Sequence, residues 1–124
     1  MEFFRCKHCG NIIAYAENKG VKVFCCGEMM EKIEPNTVDA SQEKHIPEVT
    51  LNGNMIEVVV GSVIHPMTEE HNISWIAIET KQGRQRKVLN PNAEPKVHFA
   101  LCDGDELKTV YAYCNLHGLW KKDF

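Results

Sequence analysis

Two groups of residues in this chain have the types and spacing to hold metal ions. Cys6, Cys9, Cys25 and Cys26 form the first, reading C-x2-C-x15-C-C. Four thiolates suit a tetrahedral site for zinc or a single iron, and spacing alone does not choose between them. The neighbours Cys25 and Cys26 are poor disulfide partners for each other. As ligands they should distort the tetrahedron, since two adjacent side chains must both bend to one ion. Gly10, directly after the first pair, lets backbone N–H groups approach sulfur and stabilise thiolate charge. His8, inside that pair, reads as an exposed spacer and not a ligand. The plain alternative is four free thiols, which the number and placement of the cysteines disfavour.

The second group is spread along the rest of the chain. It comprises Glu43, Lys44 and His45 in "EKHIP", His65 and His71 in "HPMTEEH", and Cys114 and His117 in "CNLH". On a helix their offset points His65 and His71 to different faces, and on one strand it leaves them far apart. Pro66 also argues against a helix. A loop folding back around an ion brings the two together. Cys114 leaves the end of a strand, His117 returns from the turn after it, and His45 starts the first strand of its half. All five therefore sit at chain entries and exits, where loops gather. Any one of these histidines alone is more often a surface or core residue than a ligand, and only the combination argues for a site. His98 lies mid-strand, opposite in phase to Val97 and Phe99, and reads as structural. Cys102 reads as a small buried apolar residue. Trp75 and Trp120 read as packing residues, with Trp120 placed to shield the ligand loop.

Ligand number separates the candidate metals. A closed structural zinc site takes four ligands, so five is one too many. Blue copper takes two histidines, one cysteine and a weak axial methionine. It would leave two histidines without a task, and no methionine follows His117. Iron accepts five ligands and keeps a sixth position open, and a thiolate ligand pushes electron density onto whatever binds there. Iron is the favoured reading, and reduction of a small oxygen species is the chemistry it suits.

The scaffold follows from pattern. Residues 1–36 have few large apolar side chains and several turn signals, so a metal must supply what the core cannot. "EPNTVDASQEKH" reads as a linker. From Ile46 onward the pattern is strands and turns: "IPEVTL", an Asn52-Gly53 turn and "MIEVVVG", then "NISWIAIET", a Gln82-Gly83 turn and "RQRKVL". "KVHFALC" and "ELKTVYAYC" follow, joined by Asp103-Gly104-Asp105. About six strands without a helical period predict an all-β chain whose residues 37–124 form an antiparallel sandwich. The net charge of -3 offers nothing to nucleic acid. No apolar run approaches the roughly 20 residues of a membrane span. Without a secretory signal ahead of Cys6, a reducing, cytoplasmic compartment is expected, where cysteines ligate metals more readily than they pair.

"EKHIP", "HPM…H" and "CNLHG.W", preceded by "CxxCG…CCG", resemble desulfoferrodoxin, the two-iron class of superoxide reductase. The resemblance spans nearly the whole chain in the family's order. It implies a desulforedoxin-like (rubredoxin-type) domain over 1–36 with iron on Cys6, Cys9, Cys25 and Cys26. It also implies an immunoglobulin-like antiparallel β-sandwich over 37–124. There a second iron would be held by His45, His65, His71 and His117 as equatorial ligands and Cys114 as the axial one. The implied reaction is one-electron reduction of superoxide to hydrogen peroxide without release of dioxygen. Lys44 would attract the anion and organise a proton-donating water, and Glu43 would close the vacant position in the resting ferric state. Re-reduction would come from a rubredoxin-like electron donor, with the four-cysteine iron as a relay. A homodimer is also implied, with the small cysteine domain as contact surface.

Overall fold

Short strands and many turns make up the first of the two units into which the computed structural model divides, Met1–Glu34 and Pro35–Phe124. All 124 residues are described. The first unit carries β1 (Phe4–Arg5), β2 (Ile12–Ile13), β3 (Phe24–Cys25), β4 (Glu28–Met29) and β5 (Glu31–Lys32). β1 lies between β2 and β5, and β3 pairs with β4. Its buried apolar side chains are Phe3, Cys6 and Met30. Each contributes about 1.5–3 kcal/mol at most, whereas ordering roughly thirty residues costs ~1–2 kcal/mol per residue in backbone entropy alone. So small a core needs a cross-link, and the four cysteines are the available one.

The second unit has a single helical turn, α1 (Gln42–His45), and seven strands. These are β6 (Pro47–Asn52), β7 (Met55–Val60), β8 (Ile73–Thr80), β9 (Arg84–Val88), β10 (Lys96–Ala100), β11 (Leu107–Cys114) and β12 (Gly118–Asp123). They form two antiparallel sheets, ordered β10-β7-β6 and β12-β11-β8-β9. Side chains alternate between faces along a strand. Thus Ile56, Val58 and Val60 of β7, Ile76 and Ile78 of β8, and Val110, Ala112 and Cys114 of β11 all enter one core, with Phe99 of β10. The chain is nearly all β, and this half is the expected sandwich. Cys114 is the last inward position of β11 and is fully buried. No helix of the chain is long and apolar enough to cross a membrane.

Four local features differ from expectation. His45 ends α1 instead of starting a strand. The turn closes with the Ile46 N–H donating to the Gln42 carbonyl at 2.8 Å, and Pro47 forces Ile46 extended, which stops it there. One helical turn is too short to show a period. A seventh strand, β12, pairs with β11 through Gly118, which sits opposite Cys114 at φ +78°. Its consecutive buried residues Leu119 and Trp120, followed by charges, do not alternate. Third, Cys102 is exposed, because β10 ends at Ala100 and the residue falls in the turn beyond it. Fourth, the first hairpin turns on Gly53 and Asn54, with Asn52 paired to Met55. The stretch ahead of α1 is also tied down: the Asn36 side chain accepts from Lys121 N–H at 2.8 Å and donates to the Lys121 carbonyl at 3.2 Å.

Candidate metal centres

In the first unit the sulfurs of Cys6, Cys9, Cys25 and Cys26 all lie within 4.8 Å of one another. Backbone N–H groups reach them as a knuckle requires, but the Gly10 N–H is not one of them. Cys9 N–H donates to Cys6 Sγ at 3.5 Å and Asn11 N–H to Cys9 Sγ at 3.4 Å. Gly10 N–H instead donates to the Cys6 carbonyl at 3.0 Å. Its φ of +82° turns the chain so that the next amide points at sulfur. Adjacent Cys25 and Cys26 aim at one point because Cys26 takes a left-handed φ of +54°, a conformation costly for a non-glycine residue. The N–H bond from Cys9 pulls the Cys6 thiol down to about 6. Crowding against Cys9 and Cys6 pushes Cys26 up to about 12. Four sulfurs this close cannot all ionise without a cation among them, and a bound metal supplies it. His8 is exposed and contacts Glu28, outside the ligand set.

The second group converges at one end of the sandwich. α1 delivers His45, the loop between β7 and β8 delivers His65 and His71, and the β11–β12 connection delivers Cys114 and His117. The ring centroids run His45–His65 4.8 Å, His65–His71 4.6 Å, His71–His117 5.2 Å and His117–His45 4.9 Å. That closes a four-membered ring of imidazoles, each set steeply to its neighbours. His45, His65, His71 and Cys114 offer ligand atoms within 4.8 Å of one another. His117 joins through Nδ1, which lies 3.1 Å from His45 Nε2 and 3.8 Å from Cys114 Sγ.

Backbone carbonyls decide which nitrogens face inward. His45 Nδ1 donates to the Ser41 carbonyl at 2.6 Å and His65 Nδ1 to the Pro66 carbonyl at 2.7 Å. A carbonyl only accepts, so both Nδ1 atoms carry the proton and both Nε2 atoms present a lone pair to the site. His65 Nε2 and His71 Nε2 are buried with no hydrogen-bond partner. Unpartnered buried polar atoms are costly, and a metal ion at this point would satisfy both. Burial holds His45 and His71 below the usual histidine range and His65 down to about 4, so the rings are neutral ligands near pH 7. Burial also pushes the Cys114 thiol up, opposed by N–H groups of His117 and Leu116. The His117 N–H donates to Cys114 Sγ at 3.4 Å. The residues fit a metal bound by neutral imidazoles and one thiolate.

Trp120 closes the back of this site. Its ring stacks on His45 at 4.8 Å and 26°, and its Nε1–H donates to the His117 carbonyl at 3.1 Å. Trp75 packs elsewhere, stacked on Tyr113. His98 faces solvent, 3.0 Å from Glu57. Glu43 and Lys44 project from α1 into solvent, and the Lys44 ammonium pushes the His45 and His71 pKa values down. One contributor carries no chemical group to betray it. A Cβ on Gly61 would lie 2.6 Å from the Glu43 carbonyl oxygen and 2.9 Å from that of Ile46. Only glycine lets α1 seat this closely.

Fold and site together define a class: a four-cysteine metal unit followed by a β-sandwich that gathers four imidazoles and a buried cysteine. The chain belongs to the desulfoferrodoxin family. The family's N-terminal domain matches residues 1–33, and the desulfoferrodoxin domain itself matches 37–123. It is 45% identical to the desulfoferrodoxin of Clostridium acetobutylicum, over 94% of this chain and 91% of that one. The crystal structure of the superoxide reductase from Treponema pallidum superposes with a TM-score of 0.83 at 39% identity, covering 98% of each chain. The superoxide reductase of Giardia intestinalis matches 66% of this chain and 97% of its own, at 36% identity and a TM-score of 0.58.

Proposed function

We propose that this protein is a superoxide reductase that adds one electron and two protons to superoxide and yields hydrogen peroxide. The observation that carries this reading is the closed ring of four imidazoles beside a buried cysteine, with two of the ring nitrogens buried and unpartnered. His45, His65, His71, His117 and Cys114 would hold one iron, and Cys6, Cys9, Cys25 and Cys26 the other. An iron held there would supply redox chemistry, and a Cys114 thiolate ligand would raise its donor strength.

The remaining work falls to the chain. Lys44 presents a compact cation beside His45, where it draws a small anion in and orders a proton-donating water. Glu43, on the same exposed turn, closes the site between turnovers. Trp120 and the sandwich core keep water from the back of the site. Replacement electrons would come from a small rubredoxin-like protein, with an iron on Cys6, Cys9, Cys25 and Cys26 of residues 1–36 available as a relay for the reductase domain of residues 37–124. The protein so described acts as a homodimer in cytoplasmic defence against superoxide.

Iron content, visible spectra of both oxidation states and product stoichiometry test the reading. One peroxide per superoxide without dioxygen is expected. Half as much peroxide accompanied by dioxygen would mean dismutation, and zinc in place of iron would remove the redox reading altogether.

A further inference from the structure

The His71 loop and the Cys114–His117 turn come from distant parts of the chain, and the regular β8–β11 ladder does not join them. That ladder ends in an irregularity between Tyr113 and Cys114, with Cys114 opposite Ile73 as its last pair. Beyond that point one side chain takes over. Asn115 Oδ1 accepts the Asn72 N–H at 2.9 Å, Asn115 Nδ2 donates to the Glu70 carbonyl at 2.9 Å, and the Asn115 backbone N–H donates to the Asn72 carbonyl at 3.2 Å. The three bonds grip the backbone on both sides of His71 and leave the imidazole itself untouched. Asn115 directly follows Cys114 in the chain.

The loop it grips is already folded on itself. Thr68 N–H donates to the His71 carbonyl at 2.8 Å, His71 N–H to Thr68 Oγ1 at 3.1 Å, and Asn72 Nδ2 to the Thr68 carbonyl at 2.9 Å. A unit so tied moves as one body, and a rigid body needs anchoring at few points. We infer that Asn115 is a positioning residue: its forked amide fixes the His71 loop relative to Cys114, and so sets the angle between one imidazole and the thiolate at the second site. An amide suits the task because it offers an acceptor and a donor a fixed distance apart, matched to an N–H and a carbonyl two residues from each other. The inference rests on His71 and Cys114 sharing one metal.

Full-length protein loaded with cobalt(II) reads this out apart from activity. Hyperfine-shifted imidazole proton signals arise only at the second site, because the first has no histidine ligand. In Asn115→Ala those signals should move, and cobalt release from this site to a chelator should quicken about tenfold, the scale of a lost outer hydrogen-bond partner. The cysteine signals of the first site should stay at parent values. The metal-free protein should lose no more than the worth of two hydrogen bonds, about 1–3 kcal/mol or up to about 150-fold in its unfolding constant. Asn115→Asp keeps the acceptor for Asn72 but sets a carboxylate oxygen against the Glu70 carbonyl, so it too should release faster. Parent-like signals and release in Asn115→Ala overturn the inference. A parent-like Asn115→Asp does so as well, since the Nδ2 bond then positions nothing. A larger loss of metal-free stability overturns it too, by showing a role in general folding. A parent protein lacking shifted imidazole signals would instead overturn the shared metal itself.

Discussion

Residues 1–34 bury three apolar side chains, Phe3, Cys6 and Met30, and one of those is itself a candidate ligand. In the sandwich a cluster of twelve buried apolar residues stands before any metal is counted, and Cys114 is the one member that doubles as a candidate ligand. The two sites therefore stand in opposite relations to their scaffolds. In the first, backbone conformation follows the ligands: Cys26 is driven to a left-handed φ so that two neighbours can reach one point. In the second, the ligands follow the backbone, which delivers each imidazole from a loop braced on a finished core. A metal would be a structural requirement for the first unit, whatever electrons it also carries, whereas the second unit's core stands without one.

The sharpest break in that comparison is chemical. Cys114→Ser should lower superoxide reduction by more than about 100-fold, beyond what loss of an outer partner costs, while the four-thiolate spectrum persists. Cys9→Ser should remove the four-thiolate spectrum and slow re-reduction by the donor, while a single turnover of the pre-reduced second site with superoxide persists. Activity surviving in Cys114→Ser would leave the buried thiolate without its role. Metal removal comes next. In hydrogen exchange of the stripped protein, amides of residues 1–34 should lose protection, whereas those of β7, β8 and β11 should keep theirs. Equal loss in both units would erase the distinction.

Gly61→Ala probes the brace itself. The added methyl meets the backbone of the α1 turn and not a yielding side chain, so a stability loss of about 1–3 kcal/mol is expected from denaturant unfolding. Cobalt affinity should fall at the second site alone. The smallest effect belongs to Lys44→Ala, which touches neither scaffold. Its second-order rate with superoxide should drop by about tenfold at low ionic strength, with a flatter salt dependence than the parent. An unchanged low-salt rate would take Lys44 out of the mechanism.

Both ligand sets could be read from residue type and spacing, because thiolates and imidazoles declare their chemistry wherever the chain places them. The sandwich was legible because its strands are apolar runs set off by turn residues, and β7 alternates as a core on one face requires. The remaining features carry no such signature. α1 is one turn long, β12 breaks alternation with Leu119 and Trp120 side by side, and Cys102 lies past the last residue its strand's alternation governs. Gly61 was invisible because its contribution is the absence of atoms. The choice of Nε2 over Nδ1 at His45 and His65 was equally hidden, since it depends on the carbonyls of Ser41 and Pro66 and not on any side chain.

Cys114 is at once the final inward residue of β11 and the sulfur offered to the second site. Because inward and outward positions alternate, slipping β11 by one residue against β8 would carry that sulfur to the opposite face of the sheet. A mispaired chain would thus be catalytically blank even where enough apolar surface stayed covered for it to persist. An activity assay on a refolded preparation would then count only the molecules whose β11 had paired in register.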